Sequence, residues 1–99
     1  GFREELHGFD MVTDDVPGLI AEITRLLAEY GILVVGHIGE RRSLPGPRQR
    51  PQGGQKFVVL LPVEFDQHAF ARDIDALAHK HNGTMKTPLR TVPGLLWWW

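Results

Sequence analysis

The chain has 99 residues, a formal net charge of −1, 42% hydrophobic and 23% charged residues, a globular composition that excludes collagen, coiled coil and disorder. It has no cysteine, which rules out disulfide scaffolds, Cys-ligated zinc, iron–sulfur clusters and cysteine nucleophiles. The charge is unevenly spread: residues 1–40 hold eight acids and two bases, residues 41–56 hold five bases and no acid, and residues 57–99 hold four of each.

A strand is predicted over 5–13, where Phe9, Met11 and Thr13 alternate with Asp10 and Val12. The stripe Leu19, Ile23, Leu26, Leu27 and Tyr30 predicts a helix over 17–30. Asp14 and Asp15 stand where carboxylates cap a helix, Pro17 suits its first turn, and Gly31 closes it. A β-branched stretch predicts a second strand over 32–42. The insertion 42–54 follows, with three prolines and three glycines, longer than the usual hairpin loop of about two to five residues. It reads as a tolerated insertion with solvated charges, or as an anion or nucleic-acid contact through the basic segment 41–56.

A third strand is predicted over 57–65 and a second helix over 66–82, with Asp66 as N-cap, Phe70, Ile74, Leu77 and Ala78 inward, and Asn82-Gly83 as the stop. The fourth strand, 84–92, contains Pro88, which places it at a sheet edge. The order β-α-β-β-α-β is that of a ferredoxin-like α+β sandwich: a four-stranded antiparallel sheet with both helices on one face, formed by a single domain spanning 1–99 with a core of about 5–92. The third strand is apolar on both faces, so a second copy or a neighbouring domain is expected to cover the sheet, and homodimerisation follows. The apolar tail 93–99 ends in Trp97, Trp98 and Trp99, which are costly to leave in water and are expected on the open sheet face, in a dimer interface or against a further domain.

Chemistry-bearing motifs are few. The serine-elbow, P-loop, dinucleotide and zincin patterns are absent, and no cofactor or metal is expected. His79 and His81 are about 200° apart on a helix and do not share a ligand. His7, His37 and His68 read as strand or surface histidines. The longest apolar run, Phe57 to Val63, falls short of the roughly 20 residues a membrane helix needs. No secretory signal is recognisable, so a cytoplasmic location without a membrane partner is expected.

The first strand-to-helix turn, Asp14, Asp15, Val16, Pro17, Gly18 and Leu19, is the most specific local feature. Free N–H groups at a helix start and a glycine that admits close approach make it a candidate pocket for an amino acid or small anion; the alternative is a well-capped helix start. This turn, continued by Thr24 and by Leu26 to Ile32, resembles the ACT domain, whose signature is an Asp-x-Pro-Gly turn, an amphipathic helix and a Gly-x-Asn-Ile-like start to the second strand. The insertion resembles that in the tandem ACT domains of the glycine cleavage system transcriptional repressor. The resemblance implies a non-catalytic regulatory module that pairs with a second copy or a tandem partner and senses an amino acid at the pairing surface. It maps ligand contacts onto Asp15, Pro17 and Gly18, and onto Leu33, where the family commonly has an asparagine. An apolar side chain cannot make that hydrogen bond, which leaves a pure dimerisation module as the alternative. An RNA-recognition motif would need stacking aromatics that the third strand lacks. An acylphosphatase would need a strand asparagine, and the only asparagine is Asn82.

Overall fold

A computed structural model describes residues 1–43 and 51–93. Its elements are β1 (Phe2–Asp14), α1 (Leu19–Glu29), β2 (Leu33–Ser43), β3 (Pro51–Pro62), α2 (Gln67–Lys80) and β4 (Thr84–Thr91). The four strands form one antiparallel sheet in the order β2-β3-β1-β4. This is the expected ferredoxin-like α+β arrangement. Arg48 and Arg50 of the insertion and Leu95 to Trp99 of the tail lie outside the described residues.

Both helices pack on one face of the sheet. Leu19, Ile23 and Leu27 of α1 and Phe70, Ile74 and Ala78 of α2 meet Phe9, Met11, Phe57, Val59 and Leu61 in one buried cluster. Phe9 stacks on Phe57 with ring centroids 5.1 Å apart, and Phe70 stands edge-on to Phe9 and Tyr30. These aromatic contacts join the two central strands to both helices, where ring geometry adds to the burial of area.

The helix ends follow local chemistry. Gly31, at φ 70°, closes α1: its amide donates to Ala28 O while Ile32 N donates to Leu27 O. That paired pattern satisfies the last carbonyls, and glycine suits the left-handed backbone. Asn82, at φ 57°, closes α2 in the same way, with Gly83 N donating to Ala78 O. Asp66 caps α2 by accepting from Ala69 N.

Four boundaries or roles differ from the sequence reading. β1 extends back to Phe2, because its first residues pair with the end of β3. β3 begins at Pro51 rather than 57, since Gly53 and Gly54 pair on both sides, with β1 and with β2. Two neighbours hold a glycine pair that has little strand preference of its own. β3 also ends at Pro62, which leaves Val63 outside it and exposed. Finally, α1 begins at Leu19 and is capped by Gly18 with no side-chain cap, so Pro17 lies before its first turn and Asp14 and Asp15 do not cap it. Pro88 does sit on an edge strand, where the β1–β4 register slips between Gly8 and Asp10. A slip of this kind accommodates a residue without an N–H.

Candidate functional site

The two aspartates freed from capping hold the turn against other elements. Asp14 N donates to His81 O at 2.9 Å, and Asn82 Nδ2 donates to the Asp14 carboxylate at 2.8 Å, tying the end of β1 to the end of α2. Asp15 N donates to Pro51 O, and its carboxylate takes the Arg41 Nε at 2.9 Å. Val16 packs against the core, Leu19 is buried within it, and Pro17 and Gly18 are exposed. Gly18 has φ 81°, a conformation that favours glycine, and its carbonyl accepts the first helical N–H from Glu22.

Beside this turn runs a groove of about 270 Å³, lined by Asp15, Ile20, His37, Gly39, Glu40, Arg41 and Gln55. It lies on the helix side of the sheet along edge strand β2. His37 Nε2 is 2.6 Å from Oε1 of the buried Gln55. A carbonyl oxygen only accepts, so this imidazole nitrogen donates. The His37 ring also stacks on Phe57, centroids 4.4 Å apart. A Cβ on Gly39 would stand 3.0 Å from Gln55 Oε1, so the Gln55 amide would have to shift by a few tenths of an ångström to admit it. The groove therefore offers a carboxylate, a guanidinium, an imidazole and a buried amide within one wall. A second, more apolar groove lies between α2 and β4, against Ile74, Met85, Pro88 and Leu89, and contains no residue of the first turn.

The structure brings Asp15 into this groove with Ile20 of the first helical turn. It does not bring Leu33 there. Leu33 opposes Leu60 on the helix-free face at the start of β2, whereas Asp15 meets Arg41 near its end. Eight residues of strand separate the two by about 26 Å. The sequence reading took Arg41 as part of the basic segment 41–56 and His37 as a strand or surface histidine, and did not connect either with Gln55 or with the first turn. Their association depends on the β2–β3 register, in which His37 pairs with Phe57 and Gly39 with Gln55. Among the described residues no cluster of three metal-ligating side chains occurs, and His79 and His81 turn to different acids, Asp75 and Glu22. No described helix is long and apolar enough to cross a membrane.

A second charged cluster pins the helices together. Glu22 of α1 accepts from His81 and from Lys80, each at 3.2 Å, and these bonds hold its carboxyl below the usual range. Tyr30 donates to Asp73 at 2.5 Å, which lowers the carboxyl and raises the phenol.

No family profile and no curated protein matches the sequence. Among solved structures, a formyltetrahydrofolate deformylase from Pseudomonas putida KT2440 superposes with a TM-score of 0.71 at 17% identity, over 90% of this chain and 29% of that one. An unknown protein from Galdieria sulphuraria gives 0.70 at 17%, over 89% and 49%. An ACT domain protein from Streptococcus pneumoniae gives 0.62 at 13%, over 90% and 91%. The chain thus spans less than a third of the deformylase, about half of the Galdieria protein, and most of the ACT domain protein. Strand order, helix placement and these superpositions agree that the chain has an ACT-like fold.

Proposed function

We propose that this chain is a non-catalytic regulatory module that senses a small zwitterion, such as an amino acid, and pairs with a second copy or a tandem partner in the control of amino-acid metabolism or its transcription. The observation that carries the reading is the groove beside Asp15. There a carboxylate and a guanidinium of opposite sign sit 2.9 Å apart at the surface, next to the His37–Gln55 pair. A ligand with an ammonium and a carboxylate can exchange for that bridge, one charge to each partner, while Gln55 and His37 supply hydrogen bonds. Exposed ion pairs contribute little to stability, so opening this one costs little.

A thermal-shift screen across the amino acids tests the reading. A ligand that binds the folded state raises the melting temperature in proportion to the logarithm of its concentration. The reading expects such a rise with at least one amino acid, and its loss in Arg41→Ala. No rise with any of them, at concentrations well above millimolar, would overturn it.

The second reading, a pairing module without ligand, is favoured by edge strand β2. Leu33, Val34 and Val35 follow one another there at 47%, 37% and 41% exposure, with a register slip at Val35. An apolar edge with free backbone groups is a template for another strand. Analytical ultracentrifugation distinguishes the readings: a dimer that Val35→Lys dissociates, with no ligand-induced shift, supports pairing alone. The same groove opens onto that edge, so a paired copy would wall it on its open side. The deformylase superposition makes a regulatory segment of a longer enzyme a natural setting for either reading.

A further inference from the structure

The turn that ends α2 holds the only asparagine of the chain, Asn82, directly before Gly83. An asparagine in that position is prone to lose its side-chain amide, because a following residue without a side chain lets the backbone nitrogen reach back unhindered. The reaction is intramolecular. The Gly83 amide gives up its proton to base, its nitrogen attacks Asn82 Cγ, and Nδ2 departs as ammonia. Water then opens the cyclic imide at one carbonyl or the other and leaves aspartate or isoaspartate. In sum, a side-chain amide and a water become a carboxylate and ammonium.

Asn82 is exposed, so neither water nor base is kept from it. What the fold withholds is the approach. The attacking atom is engaged, since Gly83 N donates to Ala78 O at 2.9 Å. So is the leaving atom, since Asn82 Nδ2 donates to the Asp14 carboxylate at 2.8 Å. Bringing Gly83 N onto Cγ requires the peptide between the two residues to turn out of the left-handed cap, in which Asn82 has φ 57°. Gly83 has little room to follow: a Cβ on it would stand 2.1 Å from Val12 O and 2.6 Å from Thr13 Cα. The bond from Asp14 N to His81 O, 2.9 Å, fixes the residue before. Both products conflict with the same turn. An aspartate at position 82 sets a carboxylate against that of Asp14, where a donor stood. An isoaspartate routes the main chain through the former side chain, and the extra backbone atom moves Gly83 N away from Ala78 O.

We propose that Asn82 is a conformation-gated deamidation site: the folded turn between α2 and β1 keeps it intact, opening of the turn releases it, and the product stops the turn from closing again. Local opening thereby becomes irreversible. The 99-residue chain, folded and in urea, is held at mildly alkaline pH and followed by peptide mapping with mass spectrometry, which separates Asn82 from the glutamines. Reaction through an opened turn scales with the open population, so Asn82 is expected to convert at least about tenfold more slowly in the folded chain. Equal rates overturn the proposal, and so does an Asn82 that stays intact in urea. The effect of the product is read separately. Asn82→Asp is expected to lower Tm by about 4–8 °C. Adding Asp14→Asn returns one amide and one carboxylate to the pair and is expected to recover most of that loss. If Asn82→Asp alone does not fold, recovery of folding in the double variant carries the same meaning. An Asn82→Asp chain as stable as the unaltered one, or a double variant no better than the single, overturns the proposal.

Discussion

Replacing Gly83 with alanine should unseat the end of α2 from β1. A Cβ on Gly83 would stand 2.1 Å from Val12 O and 2.6 Å from Thr13 Cα and Cγ2. Ordinary carbon contacts begin near 3.5 Å, so something must move by more than about 1 Å. The obstacle is mainly backbone, and β1 is hydrogen-bonded on both sides, to β3 and β4. The helix end must therefore retreat. Retreat strains or breaks the Asp14 N to His81 O bond and the Gly83 N to Ala78 O bond, both 2.9 Å. Overpacking of this kind costs about 1–3 kcal/mol, and each hydrogen bond about 1 kcal/mol. The sum, roughly 3–5 kcal/mol, is a large part of the 5–15 kcal/mol typical of a domain. In a domain of this size it corresponds to a fall in Tm of at least about 12 °C. Gly18→Ala supplies the contrast. No atom lies within 4 Å of its added Cβ, and the only penalty is φ 81°. That costs about 1 kcal/mol, or roughly 4–8 °C. Thermal melts followed by far-UV circular dichroism compare the two. If Gly83→Ala melts at or above the temperature of Gly18→Ala, the close approach of α2 to β1 is not what holds the turn in place.

Other outcomes follow from the same packing. Phe70→Ala, at the centre of the contacts with Phe9, Tyr30 and Phe65, should cost about 3–5 kcal/mol in urea unfolding; a loss under 1 kcal/mol would mean that the cluster collapses around the gap. Glu22 and Asp73 have carboxyls held below their usual range, by the His81 and Tyr30 bonds first. Their contribution is present above the ordinary carboxylate range near pH 4 and is lost as pH falls through the lowered folded values; Glu22→Gln with Asp73→Asn should flatten that acid limb of a Tm-versus-pH curve. Tyr30 is raised, chiefly by its bond to Asp73, so its contribution is complete below about pH 10 and is lost as pH climbs through the raised value. Tyr30→Phe should remove that alkaline limb; an unchanged limb would assign it to another group. Gln55→Leu keeps the volume but removes the acceptor 2.6 Å from His37, so it should abolish the thermal shift given by an amino-acid ligand while the unliganded protein loses only about 1 kcal/mol.

The stripe of α1 was legible because period and burial coincide: Leu19, Ile23 and Leu27 are the buried residues and also the strongest apolar repeat. The α2 stop was legible because Asn82-Gly83 has one efficient use at a helix end. The role of Asp14 and Asp15 was not. A carboxylate before a helix is a good cap in isolation, but here Asn82 and Arg41, distant in sequence, occupy the two side chains. The start of β3 was hidden for a related reason. Gly53 and Gly54 look like loop, and only pairing with both β1 and β2 makes them strand. The candidate groove depends on the same register. Nothing near His37 in the sequence points to Gln55, 18 residues on, until β2 and β3 align.

The position of β1 in the sheet bears on how the chain is made. β1 is synthesised before the other three strands, yet its neighbours are β3 and β4, never the strand that follows it. While the ribosome adds residues 15–50, this strand lacks both of its sheet partners, and among the described residues the sequence-adjacent strands that pair are β2 and β3. A nascent strand carrying Phe2, Leu6, Phe9, Met11 and Val12 is a target for wrong partners, including its own copies on neighbouring ribosomes. The same strand also carries Arg3, Glu4, Glu5, Asp10 and Asp14, with Asp15 just beyond it. Charges so placed act as gatekeepers against edge-to-edge pairing. The acids of β1 and the turn after it thus have two physical consequences: charge along a strand disfavours edge-to-edge pairing, and Asp14 and Asp15 tie the turn of the folded molecule to Asn82 and Arg41.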